Sequence, residues 1–213
     1  MPRLALTLCA LWFLSLFLVR SVVQWRRTGS TGWKGFHGRV GSLPWLAGTS
    51  VSLGLVLALL APVGALLAWS GAAILFSNPA AHLAGAAMAV VGTVGAVASQ
   101  FSMGDSWRVG VDESERTELV TSGLFAWVRN PIFSFMGLSL LGLLMMVPNS
   151  LAVLACLLTL VGIQIQVRVV EEPYLERTHG EAYARYRASV GRFVPRVGRM
   201  SMAHLDAGAG DTQ

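Results

Sequence analysis

Between Leu43 and Phe101 the chain runs for 59 residues without one Asp, Glu, Lys or Arg. Such a run has no charge to present to water, so the solvent that accepts it is hydrocarbon. A helix crosses a bilayer with about 20 apolar residues. The run is therefore too long for one span and sufficient for two, near 43–68 and 80–101, with Ser77-Asn78-Pro79 as the turn between them. Composition agrees. Only 13% of the 213 residues are charged and 54% are hydrophobic, where a soluble domain carries about 25% charged residues. A soluble globular chain and a disordered chain are both excluded. Cys9 and Cys156 lie in apolar runs with no C-x-x-C spacing, so neither a disulfide framework nor a metal site is indicated.

Three further spans complete the pattern. Leu4–Val19 is short for a span and borrows residues from its flanks; Arg20 follows it directly, with no small-residue cleavage site of a signal peptide. Pro131–Val147 and Leu151–Val170 are separated only by Pro148-Asn149-Ser150, which makes them a helical hairpin. The expectation is an all-α, polytopic membrane protein with about five transmembrane helices, the last two a hairpin, plus a short C-terminal helix. Fifteen of the sixteen basic residues fall in the segments 20–42, 102–130 and 168–199, and only Arg3 lies on the other side. The positive-inside rule then puts the N-terminus outside and both charged loops and the tail in the cytoplasm. The dominance of arginine over a single lysine, Lys34, points to a bacterial membrane. In the third span Gly85, Gly92 and Ser99 recur every seven residues with Ala89 and Ala96 between them, a stripe that lets helix backbones approach closely in lipid. The polar end, Asp206–Gln213, reads as a frayed tail.

Ionisable residues near a membrane are costly and mark candidate sites. Three clusters stand out. Gln164, Arg168, Glu171 and Glu172 share a helix face at the end of the fifth span. Gly123 through Pro131 places Phe125, Trp127 and Arg129 before a proline-started helix, whose N-terminus welcomes an anion. In the tail, Tyr183, Tyr186 and Val190 share a face ahead of Arg192, and Thr178 with Glu181 fits a capping box. Each cluster alone is also what a solvated helix end or interfacial anchor looks like. Together they offer cations, carboxylates and aromatics beside lipid, an inventory suited to a zwitterion with a flat aromatic part, such as S-adenosylmethionine. No G-x-G-x-x-G follows a strand, so no soluble nucleotide-binding fold is indicated.

The blocks Met103–Val111, Leu119–Phe125, Val128–Phe133, Glu171–Leu175, Gly180–Tyr186 and Val190–Pro195 resemble the integral-membrane methyltransferases, the isoprenylcysteine carboxyl methyltransferase family and its phospholipid-methylating relatives. The resemblance covers about residues 100–196. It divides the chain into N-terminal helices (1–101), a catalytic region (102–196) and a flexible tail (197–213). It implies that the last two spans and the tail wrap S-adenosylmethionine at the cytoplasmic face, while a lipophilic or lipidated acceptor enters from the bilayer. Carried over, Arg129, Asn130, Pro131, Glu172, Tyr183, Tyr186 and Arg192 form the cofactor pocket. Arg192 either holds the cofactor carboxylate or pairs with Glu171 or Glu172. Glu171 and Glu172 are the candidate bases, and Arg168 faces the substrate tunnel. The chain departs from the R-H-P-x-Y-x-G pattern at Asn130, Phe133 and Phe135. An asparagine hydrogen-bonds but is no general base. Two rival readings remain at this level: a sterol-reductase-like oxidoreductase using a nicotinamide cofactor, and a non-catalytic membrane protein of the same fold.

Overall fold

The computed structural model describes residues 1–33, 35, 38–107 and 118–200. Lys34, Arg108 and Arg116 of the charge count, part of the Met103–Val111 block, and residues 201–213 of the expected flexible tail lie outside the described residues. The described chain is all helical: α1 (Pro2–Thr28), α2 (Leu43–Leu66), α3 (Pro79–Ser102), α4 (Pro131–Met146), α5 (Ser150–His179) and α6 (Glu181–Ser189). Four of these, α1, α2, α3 and α5, are long and apolar enough to cross a membrane. The protein is a multi-pass membrane protein. α4 is apolar but has 16 residues, about 24 Å at 1.5 Å per residue against a core of about 30 Å.

Local sequence sets the helix ends. Asn78 accepts from the backbone N–H groups of Ala80 and Ala81 with Pro79 in the first turn. Ser42 caps α2 through Trp45 N. Asn149, fully buried, accepts from Ala152 N at 2.9 Å and donates to the Ala61 carbonyl of α2 at 2.9 Å, so one amide both starts α5 and ties it to its neighbour. The two turns meet at this end, where Leu75 N donates to the Pro148 carbonyl at 2.7 Å. Pro62 inside α2 lacks the N–H that would bond Ala58, and the Cys9 thiol of α1 reaches that carbonyl instead at 3.7 Å. α1 is longer than the expected 4–19, and it ends at Gly29 in a left-handed cap (φ 75°).

Two antiparallel pairs, α3 with α4 and α2 with α5, make the most extensive contacts. Both are built on absent side chains. A Cβ on Gly142 would lie 2.5 Å from the Gly85 carbonyl and the Ala89 N, and one on Gly162 would lie 2.8 Å from the Ala47 carbonyl. The expected stripe Gly85, Ala89, Gly92, Ala96, Ser99 is the buried face of α3. Gly95 beside it opens room for Phe135, whose Cγ would stand 2.6 Å from a Cβ there, so the bulk of Phe135 is housed by a glycine on α3.

Candidate functional site

At the charged end of the bundle, three stretches distant in sequence close on one carboxylate. The first is the segment entering α4. A short turn at Gly123–Ala126, begun by Gly123 at φ 60°, leads into Val128–Asn130. This segment runs beside the chain after α6: Arg129 N donates to the Gly191 carbonyl at 2.8 Å and Asn130 N to the Arg192 carbonyl at 3.1 Å. The Asn130 amide Nδ2 donates to the same Arg192 carbonyl at 3.1 Å. The Ser134 hydroxyl, one turn into α4, lies 2.6 Å from the Phe193 carbonyl. Arg129 and Arg192 are therefore placed by backbone before their side chains contact anything.

The second stretch is the end of α5. Residues Gln166–Glu171 form a wide, π-helical turn, a feature common at functional sites. In a straight α-helix Arg168 and Glu172 would share a face. Arg168 points to the exposed side, where its Nε donates to Gln164 Oε1 at 3.1 Å, while Glu172 is buried. The single polar stripe expected from spacing is thus split, with Glu171 half-buried between the halves.

Glu172 is the hub. Its Oε1 accepts from Arg192 Nε at 2.7 Å and forms an ion pair with Arg129 Nη2 at 3.1 Å; its Oε2 accepts from Arg192 Nη2 at 2.9 Å. Of the two pairings left open for Arg192, the structure has this one. Arg129 Nη2 also donates to the Gly198 carbonyl at 3.0 Å. The Arg129 side chain is 2% exposed, yet its Nε and Nη1 have no partner. Two guanidiniums face one carboxylate, so the triad carries a formal charge of +1. An anion is the group that such a site would stabilise.

The third stretch is α6. Its start differs from the expected capping box: Thr178 lies in the last turn of α5, and Gly180 (φ 51°) starts α6 with no side-chain cap. A glycine there takes the turn that a threonine-led cap would not. Tyr183, Tyr186 and Val190 do form one buried face, packed with Leu119 and Leu175. The Tyr186 hydroxyl donates to the Phe125 carbonyl at 2.6 Å, and its ring stands edge-on to Tyr183 with centroids 6.3 Å apart. Burial first, then the nearby Glu172 carboxylate, pushes the Tyr183 phenol up to about 12, and burial raises Tyr186 as well. Behind this face, Arg187 holds Glu176 at 2.9 Å.

The structure thus gathers Arg129, Asn130, Pro131, Glu172, Tyr183, Tyr186 and Arg192 at one end and leaves Arg168 apart. It adds the Gly198 carbonyl, Ser134 and the Phe125 carbonyl. Backbone carbonyls carry no residue-type signal, so spacing had no means of finding two of these.

Comparison with known proteins now bears on this geometry. Residues 80–182 match the phospholipid methyltransferase family. The fold matches that of a eukaryotic intramembrane Ras methyltransferase, isoprenylcysteine carboxyl methyltransferase, with a TM-score of 0.57 and 20% identity over 91% of this chain. The chain spans 66% of the length of that protein. No curated protein sequence matches it significantly. Over residues 80–182 the chain is thus similar to the phospholipid methyltransferases, and its fold is that of an intramembrane methyltransferase.

Proposed function

We propose that the protein is an S-adenosylmethionine-dependent methyltransferase that acts on a lipidic or isoprenoid-like acceptor where the charged end of the bundle meets the cytoplasm of a bacterial cell. The observation that carries this reading is the buried, positively charged triad in which Arg129 keeps two unpartnered N–H donors. The amino-acid carboxylate of the cofactor is an anion of the right kind for those donors. Tyr183 and Tyr186 supply an aromatic wall beside them, and Pro131 and Asn130 set the N-terminal turn of α4 against Arg192. The residues present therefore fit the group.

When bound, the cofactor supplies an electrophilic methyl group on a sulfonium. The chain's own task is to align acceptor and donor and to exclude water from them. Glu172 does not act as the base in this reading, because two guanidiniums already hold it as a carboxylate. Asn130 has no basic nitrogen. Glu171 is then the remaining carboxylate, and an acceptor that is already anionic, such as a carboxylate, asks least of the site. Arg168 on the exposed side of α5 is placed to meet a lipid acceptor's polar head rather than the cofactor.

Calorimetric titration of S-adenosylhomocysteine into detergent-purified protein tests the reading. Wild type binds, and Arg129→Ala and Glu172→Ala do not. Failure of folded wild type to bind at millimolar ligand overturns it, and binding of a nicotinamide dinucleotide instead supports the oxidoreductase reading.

A further inference from the structure

A second buried arginine lies outside this site. Arg20 is fully buried in α1, at the end of a second wide turn among the described residues, Leu14–Val19. By its position in the charge count it is a topological residue; by its contacts it is not. Its Nη2 donates to the Gly104 carbonyl at 2.6 Å, and its guanidinium carbon lies 4.6 Å from the Trp107 ring centroid and 5.3 Å from that of Phe101. The wide turn is gripped from the same side: the Leu16 carbonyl accepts from Gln100 Nε2 of α3 at 3.1 Å. The chain after α1 closes over the cluster. A Cβ on Gly32 would lie 2.9 Å from the Trp107 ring, and Trp33 Nε1 donates to Ser21 at 3.1 Å. Arg20 thus holds the end of α3 and the turn that follows it.

That end of α3 is a wall of the site. The α3 terminus packs on the Gly123–Ala126 turn, with Ser102 Oγ 4.0 Å from a Cβ placed on Gly123. The same turn presents the Phe125 carbonyl to Tyr186 and leads directly into Arg129. We propose that Arg20 is a positioning residue: by gripping the Gly104 carbonyl and the Trp107 ring it sets where α3 ends, and so where the 123–130 segment presents Arg129. Joining α1 to α3 alone would not call for a guanidinium. An apolar side chain of similar volume, such as methionine, would fill the same space between the helices. What methionine lacks is the planar fork and the stacking surface.

The inference rests on the cofactor reading only through its ligand probe, so two readouts are needed. In full-length protein in detergent, Arg20→Met keeps the midpoint of thermal unfolding within about 4 °C of wild type, the shift expected from about 1 kcal/mol in a chain this size. Its affinity for S-adenosylhomocysteine falls about tenfold, and Arg20→Lys restores part of it, as expected for one charge-assisted contact. Trp107→Leu has a similar effect, and the double variant adds little, as expected of residues acting through one contact. Independently of any ligand, amide hydrogen exchange in 124–130 rises in Arg20→Met, while the Asn149-capped start of α5 is unchanged. Unaltered exchange in 124–130 overturns the proposal, as does a large fall in thermal stability with unchanged ligand affinity. If wild type binds no S-adenosylhomocysteine, the cofactor reading fails alone, and the exchange result still decides the role of Arg20.

Discussion

The apolar helix pairs and the charged end of the bundle are held together by opposite means. Between α3 and α4, and between α2 and α5, contact depends on what is missing: glycine and alanine let backbones approach where one added carbon would collide. At the charged end, contact depends on what is present: a carboxylate, two guanidiniums and backbone carbonyls that must all be in place at once. The first kind of contact fails by overfilling. The second fails by leaving a charge without its partner, which costs more.

Removing the hub should have the largest effect. Glu172→Ala leaves Arg129 and Arg192 buried without a counter-charge and is expected to cost about 3–5 kcal/mol, read as a fall in the midpoint of chemical unfolding. A variant as stable as wild type would mean that the triad is not the fastening of this end. Alkali should act at the same place through Tyr183. Its folded-state phenol is raised from the ordinary value near 10 to about 12. Below pH 10 both states hold the proton and stability is flat. Between pH 10 and 12 the unfolded chain releases it first, so stability falls as pH rises. Two units correspond to about 2–3 kcal/mol. Tyr183→Phe should flatten that limb of the unfolding profile.

On the other side of the comparison, Gly142→Leu drives a side chain into Gly85 and Ala89 of α3. A loss of about 1–3 kcal/mol is expected, with ligand affinity of the folded fraction retained, since the residue is remote from Glu172 along α4 and α5. Loss of affinity at unchanged stability would show the two regions to be one. The smallest effect belongs to Arg168→Ala, within about 0.5 kcal/mol on stability, because that side chain is exposed and bonded only one turn away to Gln164.

The membrane half was legible because its signals are local and additive. Absence of charge over 43–101 placed two helices, Asn78-Pro79 and Asn149 placed two helix starts, and the seven-residue spacing of Gly85, Gly92 and Ser99 marked the face that packs. The charged end was legible in membership and not in arrangement. Arg129, Glu172 and Arg192 were visible as charges beside lipid. That Arg192 takes Glu172 while the Gly198 carbonyl shares Arg129 depends on a return of the chain that no local pattern encodes. Arg168 shares the helical spacing of Glu172 but not its burial, because which flank of a polar stripe is covered depends on the segments packed against it.

By itself, then, the sequence determined the solvent and the class of structure, since hydropathy, span length and the sign of the loops act residue by residue. Tertiary structure decided which charges are buried, which carboxylate is shared, and that Arg20 belongs with Gly104 and Trp107 rather than with water. The energy of a charge is set by whatever stands within a few ångströms of it in space, and only folding brings those neighbours together.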